Sequence, residues 1–152
     1  MIALGAEDYV WAVDLSTLAL DVAFVADDGR WQVNGAVFTP CADKPRRLVE
    51  QTERVRTFAD AMADHFPPLA VFVELPTGRH PSPWLMMTCG AVLAGLSLAL
   101  RTRYAHPVTI RTVAVSSWKK QVVGAGNASK EAVLAWARTT ATTASARTEP
   151  TP

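Results

Sequence analysis

Two carboxylates follow apolar runs in this chain, where an ionised group is costly unless something pairs with it. Asp14 follows the run YVWAV, and Glu74 follows the run LAVFV. If the two runs are neighbouring strands of a mixed sheet, both carboxylates emerge at the same edge of the sheet. Like charges at that distance repel, and a hard divalent ion with oxygen ligands, Mg²⁺ or Mn²⁺, is the usual partner. Alternatively, Asp14 only caps the following turn and Glu74 is a solvated loop residue.

A second polar cluster lies in SSWKKQVVGAGNASK, residues 116–130. Its three lysines, Lys119, Lys120 and Lys130, flank a Gly-x-Gly turn that leads into a helix. Backbone N–H groups at such a turn, with lysines beside them, favour phosphate oxygens. A lone Gly-x-Gly is unspecific, so a solvated lysine face beside an ordinary helix–helix connection is the alternative interpretation.

The elements that must position these residues follow from the apolar periodicity. Three antiparallel strands lead, and a helix, a strand, a long helix, a strand and two shorter helices follow. This order favours an α/β fold, a mixed sheet covered by helices. The predicted strands are residues 9–13, 18–26, 31–38, 69–73 and 108–115, and the predicted helices are residues 46–65, 84–104, one ending at 123, and 130–138. Residues 139–152, TTATTASARTEPTP, have no apolar periodicity and are predicted to be a disordered tail after a domain of residues 1–138.

Composition places this chain among single-domain globular proteins. It has 152 residues, 49% hydrophobic and 19% charged, with a net charge of +1, so any basic surface must be local. Cys41 and Cys89 lack metal-binding spacing, which favours a reduced, cytoplasmic protein. The apolar window from Trp84 to Leu100 contains small residues that suit a buried helix, so no membrane partner is predicted.

Several other residues receive an ordinary structural interpretation. The arginines of the first helix alternate with glutamates, which is typical of a solvated, salt-bridged face. The tryptophans are predicted to pack in the core or in a dimer interface, and the paired methionines are predicted to pack in the core. The arginines are Arg46, Arg47, Arg54 and Arg56, the tryptophans are Trp11, Trp31, Trp84, Trp118 and Trp136, and the methionines are Met86 and Met87.

Three stretches together resemble the RuvC Holliday-junction resolvases. WKKQVVGAGNASKEAV is similar to their basic residue, Gly-x-Gly turn and following lysine; YVWAVDLSTLALDVAFV resembles their first strand, turn and second strand; and FVELP resembles their strand that ends in a catalytic glutamate. The resemblance runs in order from about residue 8 to residue 138. It implies an RNase H-like fold and a Mg²⁺-dependent endonuclease that cuts four-way DNA junctions, with Mn²⁺ as the alternative ion.

The resemblance also implies roles for particular residues. Asp14 and Glu74 would be the catalytic metal ligands, and Lys119 would lie near the scissile phosphate. Lys120 and Lys130 would add DNA contacts, and the turn residues Ser16 and Thr17 are further DNA-binding candidates. The loop residues Arg79 and His80 would contact phosphates in place of the family's wedge, or alternatively are solvent-exposed loop residues. The resemblance implies a homodimer, because a four-way junction has two-fold symmetry. It also implies a cytoplasmic protein of a bacterium or its phage.

This chain departs from the family's pattern in three places. Leu15-Ser16 replaces Pro-Gly after Asp14, and the loop after Glu74 lacks an aromatic wedge. The family also ends in a helix with a pair of aspartates, whereas no Asp follows Asp64 here. Weak or absent cleavage is therefore predicted, since two ligands hold Mg²⁺ weakly. The alternatives are a catalytically inactive junction-binding protein and an actin-like or sugar-kinase phosphate-binding domain.

Overall fold

The computed structural model describes residues 8–75, 81–104 and 107–146, and it describes the exposure of side chains as far as residue 140. Within these ranges the element order is the predicted one. The strands are β1 (Tyr9–Leu15), β2 (Ala19–Ala26), β3 (Trp31–Val37), β4 (Pro68–Leu75) and β5 (Thr109–Ala114), and the helices are α1 (Lys44–Ala63), α2 (Pro83–Arg103), α3 (Val115–Val122) and α4 (Lys130–Ala146). The strands form one mixed sheet in the order β3-β2-β1-β4-β5.

The chain divides into two compact units, residues 1–113 and residues 114–152. The second unit contains α3 and α4. The sequence predicted that the last helix ends at Arg138, and this boundary is wrong, because α4 continues to Ala146. The extension, TTATTASA, contains no glycine or proline to end the helix, and its three alanines favour helix although its four threonines are weaker helix formers. The domain boundary at residue 138 stays a prediction, since residues 147–152 lie outside the described ranges.

Strand β1 is the centre of the sheet. It pairs antiparallel with β2, where Trp11 lies opposite Phe24, and parallel with β4, where Val13 lies beside Val73. Trp11 is fully buried, packs edge-on against Phe24 with ring centroids 5.1 Å apart, and donates its indole N–H to the Phe66 carbonyl at 2.9 Å. The strand that carries Asp14 is thus anchored by a tryptophan with both its ring and its N–H satisfied.

The helices α1 and α2 cover the face of the sheet to which Trp11 points. Asp43 caps α1 by accepting a hydrogen bond from the backbone N–H of Arg46 at 3.2 Å, and Pro45 occupies the first turn, so α1 begins before the predicted Arg46. Val55 and Ala59 of α1 join Val92 and Leu96 of α2 in the buried core. Among the described residues, α2 is the helix long and apolar enough to cross a membrane; by its burial it is a core helix on one side. Met86 and Met87 are exposed, so their predicted core role is wrong.

The two helices approach most closely at Gly95. A Cβ atom there would lie 2.6 Å from the Thr52 carbonyl oxygen and 2.8 Å from the Val55 Cβ. At Gly90, one and a half turns earlier on the exposed side, an added Cβ would meet nothing within 4 Å. Gly95 is therefore required by the contact between α1 and α2, whereas Gly90 is not.

We expect Gly95→Ala to lower the free energy of unfolding by about 2 kcal/mol, because the new methyl group must push α1 away from α2. Gly90→Ala is the matched control and should raise it by about 0.5–1 kcal/mol, since alanine is the better residue in a helix interior. Urea denaturation of both variants measures the difference. Equal effects at the two positions would contradict the close approach.

Candidate nuclease site

The two candidate carboxylates end neighbouring parallel strands. Val13 of β1 lies beside Val73 of β4, and the next residues along the two strands are Asp14 and Glu74. Both valines are buried, so the carboxylates point to the opposite face of the sheet, where Asp14 is exposed and Glu74 is half-buried. The condition set from the sequence, that the two strands are neighbours, is met, and it places both residues at one edge of the sheet. Their roles as ligands and catalytic groups stay a prediction.

The turn after Asp14 is closed by Ser16. Its hydroxyl accepts hydrogen bonds from the N–H groups of Leu18 at 3.2 Å and Ala19 at 3.0 Å, and its own N–H donates to the Ala19 carbonyl at 2.8 Å. Such a serine turn can replace the Pro-Gly that the resemblance leads one to expect. Ser16, rather than Asp14, is thus the residue that caps this turn. The predicted DNA contacts of Ser16 and Thr17 stay predictions.

A third carboxylate, Asp21, lies on the same face and was not singled out from the sequence. It pairs directly with Asp14 across β1 and β2. Its Oδ1 atom, however, leans toward β3 and lies 2.6 Å from the position that a Cβ on Gly35 would take. Gly35 therefore leaves room for the carboxylate of Asp21, on the side of β2 away from Glu74. Counting outward from the Ser16 turn in an antiparallel hairpin would have found this pairing.

Arg47 was interpreted from the sequence as part of a solvated face, and this interpretation is wrong. Its Nη2 atom donates to the Thr17 carbonyl at 2.6 Å, and its guanidinium lies over the ring of Trp84, 5.3 Å from the centroid. Gln51, one turn further along α1, is 2% exposed and donates to the same carbonyl at 3.2 Å. Helix α1 therefore holds the turn that follows Asp14. Alternation of arginine and glutamate gave no sign of this contact.

In the second unit, Lys119 of α3 belongs to the connection between the two helices. Its ammonium group donates to the Ala128 carbonyl at 3.0 Å and lies 5.9 Å from the centre of the Trp118 ring. Gly126 passes so close to α3 that a Cβ there would lie 2.9 Å from the Ser116 carbonyl oxygen. One of the three N–H groups of Lys119 thus fixes the Gly-x-Gly turn, which leaves two for another partner.

The other predicted phosphate-binding residues are Lys120, Lys130, Arg79 and His80. Lys120 and Lys130 are exposed, whereas Lys119 is half-buried. Ser129 caps helix α4, because its hydroxyl accepts the N–H of Ala132 at 3.2 Å. Neither Ser116 nor Ser117 caps α3, whose N-cap is Ala114. Arg79 and His80 lie outside the described residues.

Glu131 adds a negative charge in the first turn of α4. Its own backbone N–H and the Ser129 hydroxyl donate hydrogen bonds to its carboxylate, and these hold the pKa of Glu131 below its ordinary value. A carboxylate at this end of a helix also complements the helix dipole. The start of α4 is therefore stabilised locally, next to Lys130.

A metal at the strand ends would rest mainly on Asp14 and Glu74. Among the described residues, no group of three or more His, Cys, Asp or Glu side chains could hold a metal ion. Two carboxylate oxygens nevertheless match the chemistry of Mg²⁺, which keeps several waters and is commonly bound by one or two carboxylates together with substrate phosphates. The residues present therefore fit Mg²⁺ only as a site that substrate completes.

Solved structures similar to this chain include two of RuvC from Thermus thermophilus. One, of RuvC itself, has a TM-score of 0.59 and 21% identity, and the other, of RuvC in complex with Holliday junction substrate, has a TM-score of 0.66 and 23% identity. Each alignment covers 86% of this chain and 78% of that chain. A yeast mitochondrial Holliday junction resolvase aligns with a TM-score of 0.47 and 12% identity, over 81% of this chain and 61% of that one.

These likenesses show the fold. The chain has the α/β mixed sheet of five strands with flanking helices that RuvC has, which is the RNase H-like fold predicted from the sequence. No protein-family model matches the chain, and no curated protein matches it.

Proposed function

We propose that this protein is a structure-selective DNA nuclease, or nuclease-like protein, that binds four-way junctions. The observation that supports it best is the placement of Asp14 and Glu74 at the ends of adjacent parallel strands, on one face of a RuvC-like sheet. Fold alone does not define an activity, because one fold carries many functions. The carboxylate pair is the chemical feature that joins this fold to phosphodiester cleavage.

In this proposal Asp14 and Glu74 hold Mg²⁺, with Mn²⁺ as the substitute, and the ion supplies charge stabilisation and an activated water when it is bound. Lys119, in the second unit, would contact a DNA phosphate with the N–H groups that the Ala128 contact leaves over. Lys120 and Lys130 add phosphate contacts that are independent of base sequence. A homodimer would place two such sites on a two-fold symmetric junction.

A second candidate is a protein that binds junctions without cutting them. Its support is the absence, within the described ranges, of a third ligand close to Asp14 and Glu74. The first candidate, a nuclease, is expected to cut slowly, because two carboxylates hold the ion weakly until DNA phosphates also bind it.

The test compares the full chain on a four-way junction and on a linear duplex of the same sequences. We expect at least about tenfold tighter binding to the junction, and slow cutting that requires Mn²⁺ or Mg²⁺ and stops with a chelator. Phosphates of the bound DNA complete the ion's shell, which explains the need for metal. Two sites of a homodimer would match the two-fold symmetric junction and not a linear duplex, which explains the selectivity. Junction-selective binding without any cutting would favour the second candidate, and equal affinity for the duplex would contradict both.

A further inference from the structure

The two carboxylates lie on separate strands, and each strand leads into a different segment of chain. Asp14 is followed by the turn of residues 16–18, and the chain beyond Glu74 enters α2 at Pro83. A ligand position good to a fraction of an ångström requires that the turn following the ligand be held as well. Arg47 contacts both the turn after Asp14 and the first turn of α2.

The contacts of Arg47 divide between the two segments. Nη2 donates a charge-assisted hydrogen bond of 2.6 Å to the Thr17 carbonyl, three residues after Asp14. The guanidinium stacks over Trp84, in the first turn of α2, with 5.3 Å from Cζ to the ring centroid. Gln51 supports the arrangement from the same helix, because it is almost fully buried and also donates to Thr17.

The arrangement is kept at an energetic cost. The Nε atom of Arg47 and the Oε1 atom of Gln51 are both buried and have no hydrogen-bond partner in the described part of the chain. Buried polar atoms without partners are uncommon and destabilising, and they are retained where the other contacts of the same side chains are needed. Here those other contacts converge on a single carbonyl, in the turn next to Asp14.

We infer that Arg47 is a positioning residue that ties the turn following Asp14 to the first turn of α2 and thereby fixes the position of Asp14. It touches neither carboxylate in this role and acts through Thr17 and Trp84. The catalytic part of the inference rests on the proposed function, whereas the structural part does not.

The first measurement is hydrogen exchange in the full chain, with Arg47→Met compared to Arg46→Met. Arg46 is the matched control, since it is adjacent, exposed and paired only with Glu50 at 2.8 Å among its described side-chain contacts. Arg47→Met should speed exchange at the Ser16 and Ala19 amides at least about tenfold, because a charged hydrogen bond to the turn is lost. Exchange at Val92, in the core of α2, should change less than about twofold, and Arg46→Met should change neither.

The second measurement is junction cleavage with Mn²⁺. If the wild-type chain cuts, Arg47→Met should lower kcat at saturating junction at least about tenfold while the Kd for junction stays within about threefold, and Arg46→Met should leave both unchanged. Exchange that rises equally at Ala19 and Val92 would overturn the inference, as would an unchanged kcat in a chain that cuts. A wild-type chain that does not cut would contradict the nuclease proposal alone, and the exchange data would still decide whether Arg47 holds the turn.

Discussion

Replacing Trp11 by alanine is expected to lower the free energy of unfolding by about 4–5 kcal/mol, a large part of the stability of an ordinary domain. The side chain is fully buried at the centre of the sheet, so its removal leaves a cavity beside Phe24. The Phe66 carbonyl also loses the indole N–H that now reaches it at 2.9 Å. Urea denaturation followed by far-ultraviolet circular dichroism measures the loss.

The matched control is Trp31→Ala. Trp31 begins the edge strand β3 and is 63% exposed, so its removal should cost less than about 1 kcal/mol. Trp11→Phe should fall between the two, because it keeps a buried ring and loses only the N–H and some volume. A loss at Trp31 as large as that at Trp11 would mean that the exposed face of β3 is covered in solution.

The two tryptophans also illustrate what the sequence could and could not predict. Each stands at an apolar position of a predicted strand, and both were assigned to packing. Periodicity identifies strands and the two faces of a sheet, and this sufficed for the order of elements and for β1 as the strand that carries Asp14. It does not say which strand is central and which is at the edge, and that difference decides the burial of Trp11 and Trp31.

A similar limit applied to the site. That Asp14 and Glu74 lie near the ends of their strands was predictable, because each carboxylate follows an apolar run. The role of Arg47 was not, since it depends on a carbonyl 30 residues earlier in the chain and on the start of another helix. Lys119 was singled out for its charge beside the Gly-x-Gly turn and through the resemblance, whereas its contact with Ala128 is visible only in the folded turn around Gly126.

The largest functional effect is expected from Asp14→Asn. In the presence of four-way junction, this change should weaken Mn²⁺ binding at least about tenfold and slow cleavage at least about 100-fold. The reason is that a neutral amide replaces one of the two proposed carboxylate ligands, and the ion has few other protein ligands. Free Mn²⁺ measured by electron paramagnetic resonance gives the affinity without requiring turnover. Junction affinity measured without metal should stay within about threefold of the wild-type value.

Asp21→Asn tests whether the ion is bound by particular ligands or only attracted by the negative charge on this face of the sheet. Asp21 is opposite Asp14 in the register of β1 and β2, yet its carboxylate leans toward Gly35 on β3, whereas Glu74 lies on β4, on the other side of β1. A metal held between β1 and β4 should therefore lose less than about twofold in affinity when Asp21 is neutralised. If both substitutions weakened Mn²⁺ equally, the ion would be attracted by the overall charge of the face, and the assignment of Asp14 and Glu74 as its ligands would be wrong. If only Asp14→Asn weakens Mn²⁺ binding, the ion is bound between the neighbouring parallel strands β1 and β4.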